Sequence, residues 1–173
     1  TASGRFFRPE EKEDIMDIRP FRPEDAGEAA ALIARTLREV NIRDYTEEYI
    51  ESLIQRLQPQ DIAARAAGTH FYGAWEGGRL IGTGGIGPLE GRAEEYGLYH
   101  LFVLPEYQGR GVGRAILEAL EGDTYGRKAR CIEAAASITA LPFYLGLGYA
   151  PAEGSLKPDE AGLVRLEKRR PGL

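Results

Sequence analysis

Leu98-Tyr99-His100-Leu101-Phe102-Val103-Leu104-Pro105-Glu106-Tyr107-Gln108-Gly109-Arg110-Gly111-Val112-Gly113-Arg114 is the stretch from which the rest of the chain can be read. Residues 98–104 are apolar on both faces apart from His100, the pattern of a central strand. Pro105 has no N–H to give a ladder, so the strand ends or bulges there. Beyond it Ile116, Leu117, Ala119 and Leu120 recur at helical spacing. The three glycines between strand and helix therefore fall at a helix N-terminus, where free amides and the helix dipole attract anions. Without Cβ atoms the backbone can approach a phosphate closely. The reading is a pyrophosphate cradle.

Two common cradles fit poorly. A P-loop ends in Gly-Lys-Ser/Thr, whereas Gly113 is followed by Arg114 and Ala115. The dinucleotide fingerprint wants G-x-G-x-x-G tight against its strand, and the spacing here is Gly109-x-Gly111-x-Gly113, set back from Leu104. A nucleotide-binding domain is thus the weaker option. Gln108-Gly109-Arg110-Gly111-Val112-Gly113 instead fits Gln/Arg-x-x-Gly-x-Gly/Ala, and with its strand, its Pro-Glu-Tyr lead-in and its helix it resembles the coenzyme A-binding signature of the GNAT N-acetyltransferases.

A second block, Ala140-Leu141-Pro142-Phe143-Tyr144-Leu145-Gly146-Leu147-Gly148-Tyr149, is similar to the closing helix of that family, aromatic-Tyr-x-x-x-Gly-Phe/Tyr. The resemblance runs over about residues 16–168 and is strongest from 98 to 149. It implies an α/β (α+β) fold: a mixed, mostly antiparallel twisted sheet flanked by helices on both faces. It also implies acetyl-CoA as co-substrate and direct transfer of acetyl from the thioester to a primary amine. A different reading is a non-catalytic acyl-CoA-binding sensor or regulatory domain, in which acid and base have been lost.

The bulk composition agrees with a single domain. The chain has 173 residues, 43% hydrophobic and 28% charged, enough for a proper core. A formal net charge of −5 argues against nucleic-acid binding through a basic surface. No apolar run has membrane-spanning length and no secretory signal pattern occurs, so no membrane partner is expected. One cysteine, Cys131, excludes an internal disulfide, and His70 and His100 match no zinc motif. The simplest reading is a cytoplasmic protein without a metal. Met16 opens what looks like the natural start of the domain, which places an N-terminal extension at 1–15 and one domain at 16–173.

Local signals set the rest of the chain. Residues 15–19 should form a first strand. Pro23-Glu24-Asp25 starts a helix carrying Ala29, Ile33, Leu37 and Val40 on one face. Thr46 should cap a second helix with Tyr49, Ile50, Leu53, Ile54 and Leu57 as its stripe, ended by Pro59. A short helix over 61–67, closed by Gly68, follows. In the family such early helices build part of the acceptor pocket. Residues 69–75 and 80–86 read as a hairpin about Glu76-Gly77-Gly78-Arg79. The glycines of 82–87 could admit a substrate, or mark a bulge or close packing on a helix. Residues 130–136 and 163–167 are further strands, and the basic Lys168-Arg169-Arg170-Pro171 reads as a solvated end.

Site residues follow from the resemblance. Backbone amides of Gly109, Arg110, Gly111, Val112 and Gly113 would hold the pyrophosphate, with Gln108 opening the motif and Arg110 and Arg114 flanking it. Leu101, Phe102 and Val103 would line the pantetheine arm where the strand splays from its neighbour. Tyr144 sits where relatives place a tyrosine near the thioester sulfur as general acid. Tyr149 and Tyr125 are competitors. No Cys-His or Ser-His-Asp arrangement is evident, which favours direct attack. The position where relatives carry a basic glutamate is Gly97; Glu95 on the same strand face is the substitute, with Glu94 and Glu90 next. His100 could relay a proton, or be a satisfied core histidine of an apolar strand, the commoner case. Where the family has an asparagine seven residues before the tyrosine, this chain has Ser137, able to cap a helix and give one cofactor contact. The acceptor, a small-molecule or protein amine, is left open, and family habit allows a homodimer.

Overall fold

The computed structural model describes residues 16–170; the extension assigned to 1–15 lies outside the described residues. Seven strands form one sheet: β1 (Asp17–Pro20), β2 (His70–Glu76), β3 (Arg79–Pro88), β4 (Glu95–Val103), β5 (Cys131–Ser137), β6 (Ala150–Pro151) and β7 (Leu163–Arg169). Their order is β1-β2-β3-β4-β5-β7-β6, antiparallel throughout except for the parallel β4–β5 pair. The helices are α1 (Ala26–Glu39), α2 (Glu47–Gln55), α3 (Pro59–Ala67), α4 (Val112–Gly122), α5 (Thr124–Lys128) and α6 (Leu141–Gly146). This is the mixed α/β architecture expected.

The helix boundaries follow local chemistry. The Thr46 hydroxyl accepts from the Tyr49 N–H at 3.2 Å and so starts α2. Pro59 opens α3 rather than merely ending α2. There the Gln58 N–H donates to the Asp61 carboxylate at 2.9 Å, closing the first turn. Pro142 falls in the first turn of α6, the one place its missing N–H costs nothing. Gly148, at φ +92°, then turns the chain back to the sheet.

The core is a layer of Ile33, Leu37, Ile116, Leu120, Ile132 and Leu166, all buried between sheet and helices. The glycines of β3 serve this packing, not substrate entry. A Cβ on Gly82 would come within 2.6 Å of Ile116, and one on Gly84 within 2.8 Å of the same side chain. Their absence lets α4 lie close on the sheet. The basic C-terminal residues are also not a free end. Lys168 and Arg169 belong to β7, and Lys168 Nζ bonds Glu121 and the Leu147 carbonyl, both at 3.1 Å. Arg170 donates to the Gly126 carbonyl at 2.6 Å. Backbone pairing carries the strand further than its apolar alternation does.

Two irregularities of β4 position everything that follows. The β3–β4 register jumps from Thr83↔Phe102 to Gly85↔Tyr99, so Gly84 faces both His100 and Leu101. This is a bulge, and His100 adopts a left-handed backbone at φ +50°. The buried Thr83 hydroxyl donates to the His100 carbonyl at 2.8 Å and holds it. Secondly, β4 pairs with β5 only from Glu95↔Cys131 to Leu98↔Ala134. Past Leu98 the two strands part.

Candidate active site

The parting of β4 and β5 opens a cleft of about 630 Å³. One wall is Leu101, Phe102 and Val103 of β4; the other is Ala135, Ala136 and Ser137 of β5. Its floor runs to the glycine turn through Gln108, Gly109, Gly111 and Gly113, and its far side is the inner face of α2. A splayed pair leaves ladder groups without a strand partner, so an extended ligand can take the vacant place.

The glycine turn is built to receive an anion. Gly109 and Gly111 lie at φ +75° and +81°, a conformation that favours glycine, and Gly111 is the N-cap of α4. Among the described residues, the backbone N–H groups of Gly109 through Arg114 find no protein acceptor; the first amide of the helix that does is Ala115, bonded to the Gly111 carbonyl at 3.0 Å. Six donors converging at the positive end of an eleven-residue helix suit a pyrophosphate. Gly113 packs on Phe143, where an added Cβ would stand 3.2 Å from the ring.

The charged and polar side chains of the motif take more varied roles. Gln108 donates to the Val103 carbonyl at 3.1 Å, fastening the turn to the strand end. Thr36 of α1 donates to that same carbonyl at 3.2 Å. Arg114 is paired with Glu118 at 3.0 Å, and Arg110 lies over the Tyr107 ring, 5.2 Å from its centroid, outside the cleft wall. Below them Glu106 bridges Arg35 and Arg79 at 2.8 and 3.0 Å, and the Arg35 hydrogen bond chiefly holds its carboxyl down at about 2.

Tyr144 stands in the cleft wall, 7% exposed, its ring edge-on to Phe143 and Tyr149. Burial pushes its phenol above the ordinary range, so it holds its proton at neutral pH. Among the described residues nothing hydrogen-bonds that hydroxyl. Its two competitors are elsewhere: Tyr149 donates to Glu121 at 3.0 Å and Tyr125 stacks on His70 and Tyr96, none of them in the cleft wall.

Glu95 is not brought to Tyr144. It lies at the closed end of the β4–β5 pair, ion-paired with Arg92, and does not line the cleft. Arg92 also binds Glu133 at 2.6 Å, so the carboxylate is one part of a structural cluster. Glu94 pairs with Arg130 at 2.6 Å. Strand alternation placed Glu95 on the face of Gly97, but both residues lie within the paired stretch of β4 and β5, before the strands part past Leu98. At Gly97 the vacant side-chain space is taken by the Tyr99 hydroxyl, 3.0 Å from where a Cβ would be.

The cleft wall also holds His100, which the sequence offers as a relay, and Asn41, which the sequence reading misses. His100 lines the cleft, and burial first, then the nearby Arg65 guanidinium, pushes its imidazole down to about 4. Asn41, just after α1 and only 7% exposed, donates to the Ser137 hydroxyl at 3.3 Å. That hydroxyl in turn accepts from the Ala140 N–H at 3.1 Å and caps the turn leading into α6. No local pattern signals a polar contact 96 residues away in sequence.

Comparison with known proteins agrees with this geometry. A family model described as an acetyltransferase (GNAT) domain matches residues 41–169. The N-alpha-acetyltransferase RimI of Mycobacterium tuberculosis is 47% identical over 53 residues, which is 30% of this chain and 33% of that protein. The matched segment thus spans about a third of the curated relative's length. The crystal structure of PaiA N-acetyltransferase from Thermoplasma acidophilum in complex with coenzyme A superposes with a TM-score of 0.76 at 19% identity, covering 90% of this chain and 99% of that one. A GCN5-related N-acetyltransferase (aminotransferase, class-II) from Rhodopseudomonas palustris gives 0.74 at 26% identity, covering 89% and 95%. A GNAT family acetyltransferase from Brucella melitensis in complex with acetyl-CoA gives 0.61 at 23%, covering 92% and 93%.

Proposed function

The chain belongs to the GNAT acetyltransferase family, and we propose that it transfers the acetyl group of acetyl-CoA directly to a primary amine. The observation that carries this reading is the continuity of one cleft from the free amides of Gly109–Arg114, between the parted strands, to Tyr144 and the α2 wall. Acetyl-CoA, when bound, supplies an activated thioester. The amides of the glycine turn hold the pyrophosphate, and the unpaired edges of β4 and β5 orient the pantetheine arm.

Attack by the amine nitrogen forms the new C–N bond as the C–S bond breaks. The departing sulfur takes the Tyr144 proton, the attacking nitrogen gives one proton to solvent, and the phenol is reprotonated from solvent, so no net proton is lost. Among the described residues the cleft wall holds no carboxylate, and its low-polarity surroundings favour the neutral, nucleophilic form of a bound amine. His100, the one imidazole in the wall among the described residues, is held neutral by burial and by Arg65, which makes it a weak base, so the amine proton leaves to solvent. A dedicated glutamate base is therefore not part of the proposal.

Calorimetric titration with acetyl-CoA and coenzyme A, followed by an amine panel read through thiol release, tests it. Saturable binding with thiol release in the presence of an amine is expected. Binding without release for any amine would favour a cofactor sensor, and no binding would overturn the reading of the glycine turn.

A further inference from the structure

The acceptor end of the cleft has an unusual charge pattern. Its wall there is Tyr49 and Leu53 of α2, Arg56 and Leu57 just past its C-terminal end, and Tyr45 just before the helix. The acids of this region point elsewhere: Glu47, Glu48 and Glu51 are absent from the cleft wall, and Glu51 is engaged by Arg38 at 2.8 Å. Across the whole cleft wall, among the described residues, no Asp or Glu occurs. The charged side chains are Arg114, which belongs to the glycine turn and is paired with Glu118, and Arg56.

Arg56 makes no ion pair among the described residues. Its one hydrogen bond runs from Nε to the Ser52 carbonyl of its own helix at 3.4 Å, which leaves the outer nitrogens of the guanidinium to the cleft. Burial raises the Tyr49 phenol first, the Arg56 charge then opposes this, and the negative charge of Asp159 adds to it. Arg65 of α3, outside the cleft wall, lies 4.1 Å from the Tyr99 ring centroid, likewise without an acidic partner among the described residues, and its charge reaches His100. An acidic groove lies alongside, with Asp44, Asp159 and Glu160, but it shares only Tyr45 and Tyr49 with the cleft. Asp44 and Asp159 are moreover occupied, by the Thr139 hydroxyl at 2.7 Å and by the N–H groups of Ala161 and Leu163.

We infer that the acceptor is an amine that also carries a carboxylate, received by the guanidinium of Arg56 at the α2 end of the cleft. This rests on the acetyl-transfer reading and narrows its substrate. A polycationic acceptor would meet the unpaired guanidinium of Arg56 and, among the described residues of the cleft wall, no carboxylate. A carboxylate meets a planar fork of donors in the same place. The tyrosine and leucine face between Arg56 and the parted strands suits an apolar body joining the two ends of such a molecule.

The test pairs each amine with its own neutral form: amino acids against their carboxamides, with a polyamine and an aminoalkyl phosphate beside them, using the full chain and acetyl-CoA. The expected result is a kcat/KM at least tenfold higher for amino acids than for their carboxamides, with the polyamine poorest. R56Q should raise KM for the amino acid tenfold or more and leave the carboxamide and the Kd for acetyl-CoA unchanged, while R56K recovers part of the loss. Preference for the carboxamide, the polyamine or the phosphate, or equal KM changes for acid and carboxamide in R56Q, would overturn the inference. So would normal acetyl-CoA binding with no amino acid acetylated. Loss of acetyl-CoA binding itself would instead remove the acetyl-transfer reading beneath it.

Discussion

The side-chain amide of Asn41 donates a hydrogen bond to the hydroxyl of Ser137 across 3.3 Å, joining the segment after α1 to the tip of β5. The contact closes the cleft between its acceptor wall and the turn that leads to Tyr144. Asn41→Ala should therefore cost about 1–2 kcal/mol, the loss of one buried hydrogen bond with a small void beside it. Denaturant unfolding measures this. A cycle with Ser137→Ala should show coupling of about 0.5–1.5 kcal/mol, because the two changes remove the same bond.

Tyr144→Phe keeps the ring that packs edge-on against Phe143 and Tyr149. Stability and the Kd for acetyl-CoA should stay nearly constant, while kcat falls by about 10²-fold or more, the usual worth of a placed proton donor. Steady-state kinetics beside calorimetry separates the two. An unchanged kcat would remove the hydroxyl from the reaction.

Glu95→Gln should leave kcat within about twofold of the parent, since its carboxylate serves Arg92 at the closed end of the strand pair. A fall of a hundredfold would return the base to Glu95.

Gly111 sits at φ +81° with open space around a would-be Cβ. Gly111→Ala therefore meets backbone strain alone, about 1–2 kcal/mol. Gly111→Asn should be milder, since asparagine tolerates the left-handed region. Thermal unfolding ranks the three, and the Kd for coenzyme A should weaken in the same order as the amides lose their aim.

His100 is held neutral in the folded protein, its imidazole pushed down from 6.5 to about 4 by burial and by Arg65. The unfolded chain binds this proton more readily, so the associated stability is complete above about pH 6.5 and is lost as the pH falls toward 4. The loss amounts to about 3 kcal/mol at most. His100→Asn, compatible with the φ of +50°, should flatten that part of the stability–pH curve measured by denaturant unfolding.

By itself the sequence determined the elements and the cradle. Thr46 marks a helix start, Gly148 a left-handed turn, and Gly109 and Gly111 a helix start with free amides, because capping and positive φ are decided within a few residues. Tertiary structure alone decided what surrounds the reacting centre. The jump in register at Gly84 and the parting of β4 from β5 depend on partners distant in sequence, and strand alternation read across them misplaced Glu95. Asn41 meets Ser137, and Arg56 joins a cleft wall that holds no carboxylate among the described residues, only when the helices have packed on the sheet. Local conformation is set by short-range sterics and hydrogen bonding; a site's charge and polarity are set by which distant side chains the packed core brings to one wall.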